Sequence, residues 1–256
     1  MRRFPPERII CLTEETVETL YLLGEEDRIV GVTGYAVRPA RVRSEKPRVG
    51  AFTSADVPKI LALDPDLVLT FSDLQADIAA ALLRAGVAVH GFNQRDVAGI
   101  LAMIETLGAL VGAPGRGRSL AADLRGRIAD LRRGPGTGPR VYFEEWDDPM
   151  IAGIGWVSEL VEIAGGTDVF AHHARQGAAK DRIVTADEVI AAAPDVIVAS
   201  WCGKKVRPEK ITARPGWHAV PAVASGRIHE IKSPLILQPG PAALTDGLDA
   251  LLGLLA

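Results

Sequence analysis

The segment KILALDPDLVLTF (59–71) aligns without gaps with EVIAAAPDVIVAS (188–200), setting Pro65 over Pro194 and Asp66 over Asp195. LGEEDRI (23–29) pairs in the same way with AGGTDVF (164–170). Either match alone is weak, because short apolar strands resemble one another. Two matches in the same order, on both sides of a long helical tract, favour two related lobes. In each copy a Pro-Asp turn introduces an apolar strand, and the chain around it alternates in the same way. RIICL (8–12) reads as a strand, a helix opens at Thr13 and runs to about Leu23, and Gly24 stops it. RIVGVTGY is a second strand, and ADIAAALLRAGVAVHGF is a helix, a glycine stop and another strand. Such alternation implies βαβ units and a mostly parallel sheet.

Between the lobes the pattern changes. Residues 97–112 and about 116–133 are helical with no strand between them, broken only by GAPGRG. At ~1.5 Å per residue the second helix would be roughly 27 Å long. GPGTGP (134–139) reads as a linker, after which strand–helix alternation resumes as far as the terminal helix AALTDGLDALLGLL. The predicted fold is α/β: two Rossmann-like lobes joined by a long, rigid inter-lobe helix. Its parts are an N-terminal lobe over 1–96, a helical region over 97–138 and a C-terminal lobe over 139–256.

Composition removes several classes of function. The 256 residues are 48% hydrophobic and 24% charged, as in an ordinary soluble globule. A net charge of -3 without a long basic run argues against nucleic acid as a partner. Cys11 and Cys202, far apart, make no disulfide framework. No stretch approaches the ~20 apolar residues of a membrane helix. At the start, Arg2 and Arg3 are followed by prolines, and Ile9–Leu12 is too short for the apolar core of a signal peptide. The expectation is a soluble monomer, cytoplasmic as the sequence stands and periplasmic if the true start lies upstream.

Ligands of open α/β sheets bind outside the carboxyl ends of the strands. The loops there carry Tyr35, Phe52, Phe71, Phe92, Trp146, Trp156 and Trp201 in a chain only 5% aromatic. Three of the four tryptophans would therefore line one cleft, the alternative being that each plugs a lobe core; Tyr35, Phe52 and Trp201 are read as loop rings whose loss costs affinity rather than stability. Asn93, Glu145 and Gln238 would add hydrogen-bonding groups. The stretch RVYFEEWDDPMIAGIGW (140–156) raises the question of catalysis. Adjacent Glu144 and Glu145 at a strand end point to opposite faces, so no glycosidase-type carboxylate pair is expected. No nucleophile elbow, Walker loop or dinucleotide fingerprint is present. Cys202, flanked by Lys204 and Lys205, reads as an activated thiolate, a metal-facing thiol or an inert surface group. His172-His173 on an extended segment would diverge. No catalytic residue and no bare-metal site is expected, although Glu14, Glu15, Asp147 and Asp148 leave a metal open.

These stretches, together with RPGWHAVPAVASGRIHEI and the terminal helix, resemble the substrate-binding proteins of ABC importers for vitamin B12, iron siderophores and haem. The resemblance covers nearly the whole chain and is nearest to cobalamin-binding members. It implies two lobes on a rigid helical backbone holding a metal chelate between them. Little hinge closure would follow, so scattering curves with and without ligand should nearly superimpose. It also implies Tyr35 and Phe52 against a corrin ring; Trp146, Trp156 and Trp201 would then provide the wall opposite them. A ferric siderophore or haem is the alternative ligand, for which Arg38, Arg95, Lys204, Lys205 and Lys232 are available, although the acidic EEWDDP argues against an anion. A cytosolic enzyme acting on a corrinoid or tetrapyrrole is the alternative of another class. Members dock on a permease through one acid per lobe, at the start of the helix before each Pro-Asp strand. The second lobe offers Asp187 and Glu188 there. The first offers Pro58, which cannot make a salt bridge, so permease docking is expected to be weakened.

Overall fold

A computed structural model describes residues 4–134 and 138–256. Arg2, Arg3 and the centre of the expected linker (135–137) lie outside the described residues. The chain divides into two compact units, residues 1–94 with 98–124, and residues 95–97 with 125–256.

The first unit is built on a five-stranded, all-parallel sheet. Its strands are β1 (Ile9–Cys11), β2 (Ile29–Thr33), β3 (Arg48–Gly50), β4 (Leu67–Phe71) and β5 (Ala88–Phe92), in the spatial order β3-β2-β1-β4-β5. Its helices are α1 (Glu14–Leu22), α2 (Val42–Glu45), α3 (Val57–Ala62), α4 (Ala76–Arg84), most of α5 (Val97–Leu110) and the first part of α6 (Pro114–Leu131). The central strand β1 shows no exposure at any residue, as expected for a parallel strand covered on both faces. Ile60 of α3 and Leu82 of α4 close one core over Ile10, Leu12, Val49 and Val68. The strand order reverses between β1 and β4, and a ligand crevice is expected at that point.

The second unit holds β6 (Arg140–Asp147), β7 (Met150–Ala152), β8 (Thr167–Asp168), β9 (Val196–Ala199) and β10 (Ile228–Glu230). The order is β10-β9-β6-β7, with β8 beside the start of β6; all pairs are parallel except β6–β7. Around it lie the end of α6, then α7 (Gly155–Ile163), α8 (Ala171–Ala174), α9 (Ala186–Ala192), α10 (Pro208–Thr212), α11 (Pro221–Ala224), α12 (Ser233–Ile236) and α13 (Leu248–Leu254). Its core gathers Tyr142, Phe170, Ile197, Trp201, Ile211 and Trp217.

The duplicated Pro-Asp segments do the same job in both units. Asp66 accepts the backbone N–H groups of Glu7 and Arg8 at 2.9 and 3.0 Å, and Asp195 accepts that of Arg140 at 2.9 Å. Arg8 donates through its guanidinium to the Leu63 carbonyl, and Arg140 does so to the Ala192 carbonyl. The residue before each proline is left-handed, Asp64 at φ 44° and Ala193 at φ 42°. Each aspartate thus pins the amino end of one strand to its neighbour, which sets the β1–β4 and β6–β9 registers. Gly24 and Gly165, matched in the second repeat, end α1 and α7 at φ 66° and 89°, a conformation that favours glycine.

Two segments depart from expectation. EEWDDP is not a loop: β6 runs through Asp147, and β7 returns antiparallel as a hairpin with a register shift between Glu144 and Trp146. His172 and His173 do not diverge on an extended segment. They sit on α8 with ring centroids 4.3 Å apart.

Candidate functional site

In the first unit the carboxyl ends of β1, β3 and β4 are tied together by one buried side chain. Gln75 accepts the Phe71 N–H at 3.0 Å, and its amide donates to the carbonyls of Leu12 at 3.2 Å and Phe52 at 2.7 Å. This fixes the loop that carries Phe52, whose ring is half-buried. Tyr35, two residues past β2, is 50% exposed. Asn93, just past β5, is exposed. Phe71 departs from the expected cleft ring: as the last residue of the buried strand β4 it is 6% exposed and belongs to the core. Arg38, considered as an anion-facing cation, is ion-paired with Glu18 at 2.8 Å.

At the strand-order reversal, Glu14 and Glu15 begin α1. Glu15 is buried and accepts from the Thr13 hydroxyl at 2.7 Å. Burial pushes its carboxyl up to about 8, and that of Glu14 up to about 7. Burial also raises the Cys11 thiol, to about 12, which makes it inert at neutral pH.

The second unit places its expected residues less evenly. Glu144 has no exposure; it accepts from Trp201 Nε1 at 2.9 Å and from both terminal nitrogens of Arg214. Trp201 is therefore a core ring, 2% exposed and anchored to a buried carboxylate, rather than a wall of a cleft. Trp156 is likewise corrected: it lies in the first turn of α7, 3% exposed, and donates to the Ile236 carbonyl at 2.9 Å. Glu145 points elsewhere than Glu144, but both its oxygens are taken by the Arg182 fork at 2.6 and 3.0 Å, so it is not an open acceptor for ligand amides. Arg182 and Arg214, which hold these two acids, were not singled out from the sequence. They lie 37 and 70 positions from their partners, so no local sequence signal connects them.

Trp146 is half-buried near the end of β6, with its indole N–H on the Asp148 carbonyl at 2.8 Å. The Lys204 ammonium lies 3.8 Å from its ring centroid and also pairs with Asp147. Burial alone would raise the Asp147 carboxyl, but Lys204 holds it below its ordinary value. Cys202 is exposed in the same loop, and Gln238 is half-buried beyond α12. Beside this loop, at the carboxyl ends of β9 and β10, is a cavity of about 400 Å³.

The expected docking positions are surface groups with different commitments. Asp187 is exposed in the first turn of α9. Glu188 is spent on its own helix, closing a capping box with Thr185. On α3, Pro58 occupies the first turn, and Asp56 caps the helix by accepting the Lys59 N–H at 3.0 Å. Among the described residues, no group of three or more His, Cys, Asp or Glu side chains is placed to hold a metal ion. No helix among them is long and apolar enough to cross a membrane.

The chain is similar to known proteins over most of its length. The vitamin B12-binding protein of Vibrio campbellii is 27% identical over 201 residues, covering 77% of this chain and 71% of that protein. The crystal structure of the periplasmic vitamin B12-binding protein BtuF of Vibrio cholerae has a TM-score of 0.77 at 25% identity, covering 98% of this chain and 97% of that one. The periplasmic heme-binding protein RhuT from Roseiflexus sp. RS-1 has a TM-score of 0.81 at 26% identity, over 97% and 98% of the two chains. The family model described as periplasmic binding protein matches residues 9–235. With the match extending from β1 into α12 and both sheets in place, the chain belongs to the periplasmic binding protein family.

Proposed function

We propose that this substrate-binding protein takes up a corrinoid metal chelate, cobalamin above all, and hands it on unchanged. The observation that carries the reading is the pair of rings at the carboxyl ends of β2 and β3. Tyr35 is half-exposed, and the loop of Phe52 is fixed by buried Gln75. Leaving large apolar rings uncovered on a rigid frame is costly unless they meet a flat ligand, and a corrin edged with amides is such a ligand. The names of the relatives support the same class.

Haem is the second reading, and one observation favours it. The Tyr35 phenol makes no hydrogen bond among the described residues, and a phenolate is a known axial ligand of haem iron. Handing on would involve a permease, with Asp187 as the contact offered by the second unit.

Difference spectra of the purified protein titrated with cobalamin and with haem test this choice. Tyr35→Ala and Phe52→Ala should each weaken cobalamin binding about 5- to 150-fold, the equivalent of ~1–3 kcal/mol for a lost stacking ring, with intact ligand recovered from every sample. Tight haem binding with a tyrosinate spectrum that Tyr35→Phe removes would replace the corrinoid reading. Conversion of the ligand by the parent protein would replace the binding reading altogether.

A further inference from the structure

The chain leaves β4 through a strained residue. Ser72 has φ 58° and ψ 179°, a conformation that favours glycine and that a serine keeps only where its surroundings hold it. Its N–H donates to the Phe92 carbonyl at 2.8 Å, and its hydroxyl accepts the Leu74 N–H at 3.3 Å. The 3-10 turn over Asp73–Gln75 that follows carries the Gln75 side chain back to the strand end. There it is 1% exposed and holds three segments at once, through the Phe71 N–H and the carbonyls of Leu12 and Phe52. The bond to Phe52, at 2.7 Å, is the shortest of the three. The Phe52 loop closes on itself through the Ala51 N–H and the Ser54 carbonyl at 2.8 Å, and Gln75 ties that closed loop to the ends of β1 and β4. Tyr35 belongs to a separate loop, with its N–H on the Thr33 hydroxyl at 3.4 Å.

We propose that Gln75 is a positioning residue for the bound ligand: it sets the Phe52 ring in its binding place beforehand and acts on affinity through that ring alone. The inference rests on the proposed function, and every group in it belongs to the first unit. A side chain this deeply buried does not meet the ligand, so its effect on binding passes through the segments it holds. Ordering a loop at the moment of binding subtracts from affinity, and a loop ordered in advance avoids that loss. The strained turn at Ser72 is what it takes to bring the amide to the three strand ends.

The test uses the full chain and Gln75→Met, which keeps the length and removes the amide. Gln75→Asn, which keeps the amide but shortens its reach, replaces it if the Met variant does not fold. Affinity for cobalamin is read by spectral titration in three backgrounds: the parent, Tyr35→Ala and Phe52→Ala. The Gln75 substitution should weaken binding about tenfold in the parent and about tenfold again on Tyr35→Ala, but not further on Phe52→Ala, since two changes that act through one ring do not add. A second readout needs no ligand. In protein carrying fluorinated phenylalanine, the fluorine line that Phe52→Leu removes should shift or broaden in the Gln75 variant. The line of Phe143, in the core of the second unit, should stay in place.

Unchanged affinity in the parent background overturns the proposal. So does an equal loss on Phe52→Ala, because Gln75 would then serve the fold or another contact. A Phe52 line that ignores the substitution also overturns it, since the loop would not depend on the amide. If the parent binds haem and not cobalamin, the corrinoid reading falls and the same three backgrounds are read with haem. If it binds neither, the proposed function falls, and the Phe52 line alone decides whether Gln75 sets the ring.

Discussion

Glu144 sits at the end of the parallel stretch of β6 with no exposure, and three donors converge on it from Trp201 and Arg214. A buried ion pair is costly to form and costlier to break, since removing one partner strands the other. Arg214→Met should therefore destabilise the protein by about 3–5 kcal/mol in urea unfolding. Adding Glu144→Gln should recover a large part of that loss, because a neutral amide no longer needs the guanidinium. If the double variant is as unstable as the single one, packing of Arg214 on Trp217 rather than the ion pair is what matters. Trp201→Ala should also cost about 3–5 kcal/mol, the range for a large core ring. That outcome would separate Trp201 from Tyr35 and Phe52, whose truncation should leave the unfolding midpoint nearly unchanged.

At the scale of elements, the start of α1 carries a proton-linked group at the strand-order reversal. The folded-state value of Glu15 is about 8 against an ordinary 4.5, so between these values the folded protein holds a proton that the unfolded chain has released. The stabilising effect of this proton is fully present below pH ~4.5 and is lost as pH rises through about 8. Stability should therefore fall from pH 5 to pH 8.5, and Glu15→Gln should reduce that slope in denaturant titrations at the two pH values, the remainder belonging to Glu14, which burial raises to about 7. A slope unchanged by the substitution would mean that other groups set it.

The alternating elements around this helix were legible before any coordinates, because period, glycine stops and Pro-Asp turns are local signals. The aspartate clamps on β1 and β6 explain why the repeat was readable: its proline and aspartate are fixed by backbone geometry. The β6–β7 hairpin was not readable, since Asp148-Pro149 reads equally as a loop. Nor was the depth of Trp156 and Trp201. The rings of Trp156 and Trp201 turn inward with their N–H groups received by distant partners, the Ile236 carbonyl and Glu144. The side chains that fix the candidate sites, Gln75, Arg182 and Arg214, were invisible for the same reason: their partners are set by tertiary contact.

At the scale of the whole molecule, α6 is continuous from Pro114 to Leu131, while the division into units passes between Leu124 and Arg125. One helix therefore supplies residues to both. Arg125→Pro should cost about 3 kcal/mol or more by breaking that helix. Amide exchange should accelerate in both units, whereas loss of protection in one alone would show that the helix supports only that unit.

The two cysteines add a practical property. Cys11 has no exposure and its thiol is pushed up to about 12, whereas Cys202 is exposed two residues from Lys204 and three from Lys205. Thiol reagents at neutral pH should consequently modify the natural protein once, at Cys202, without any substitution. A maleimide dye placed there would sit on the loop that borders the cavity at the carboxyl ends of β9 and β10. Mass spectrometry should show a single adduct, carried by the peptide that contains Cys202.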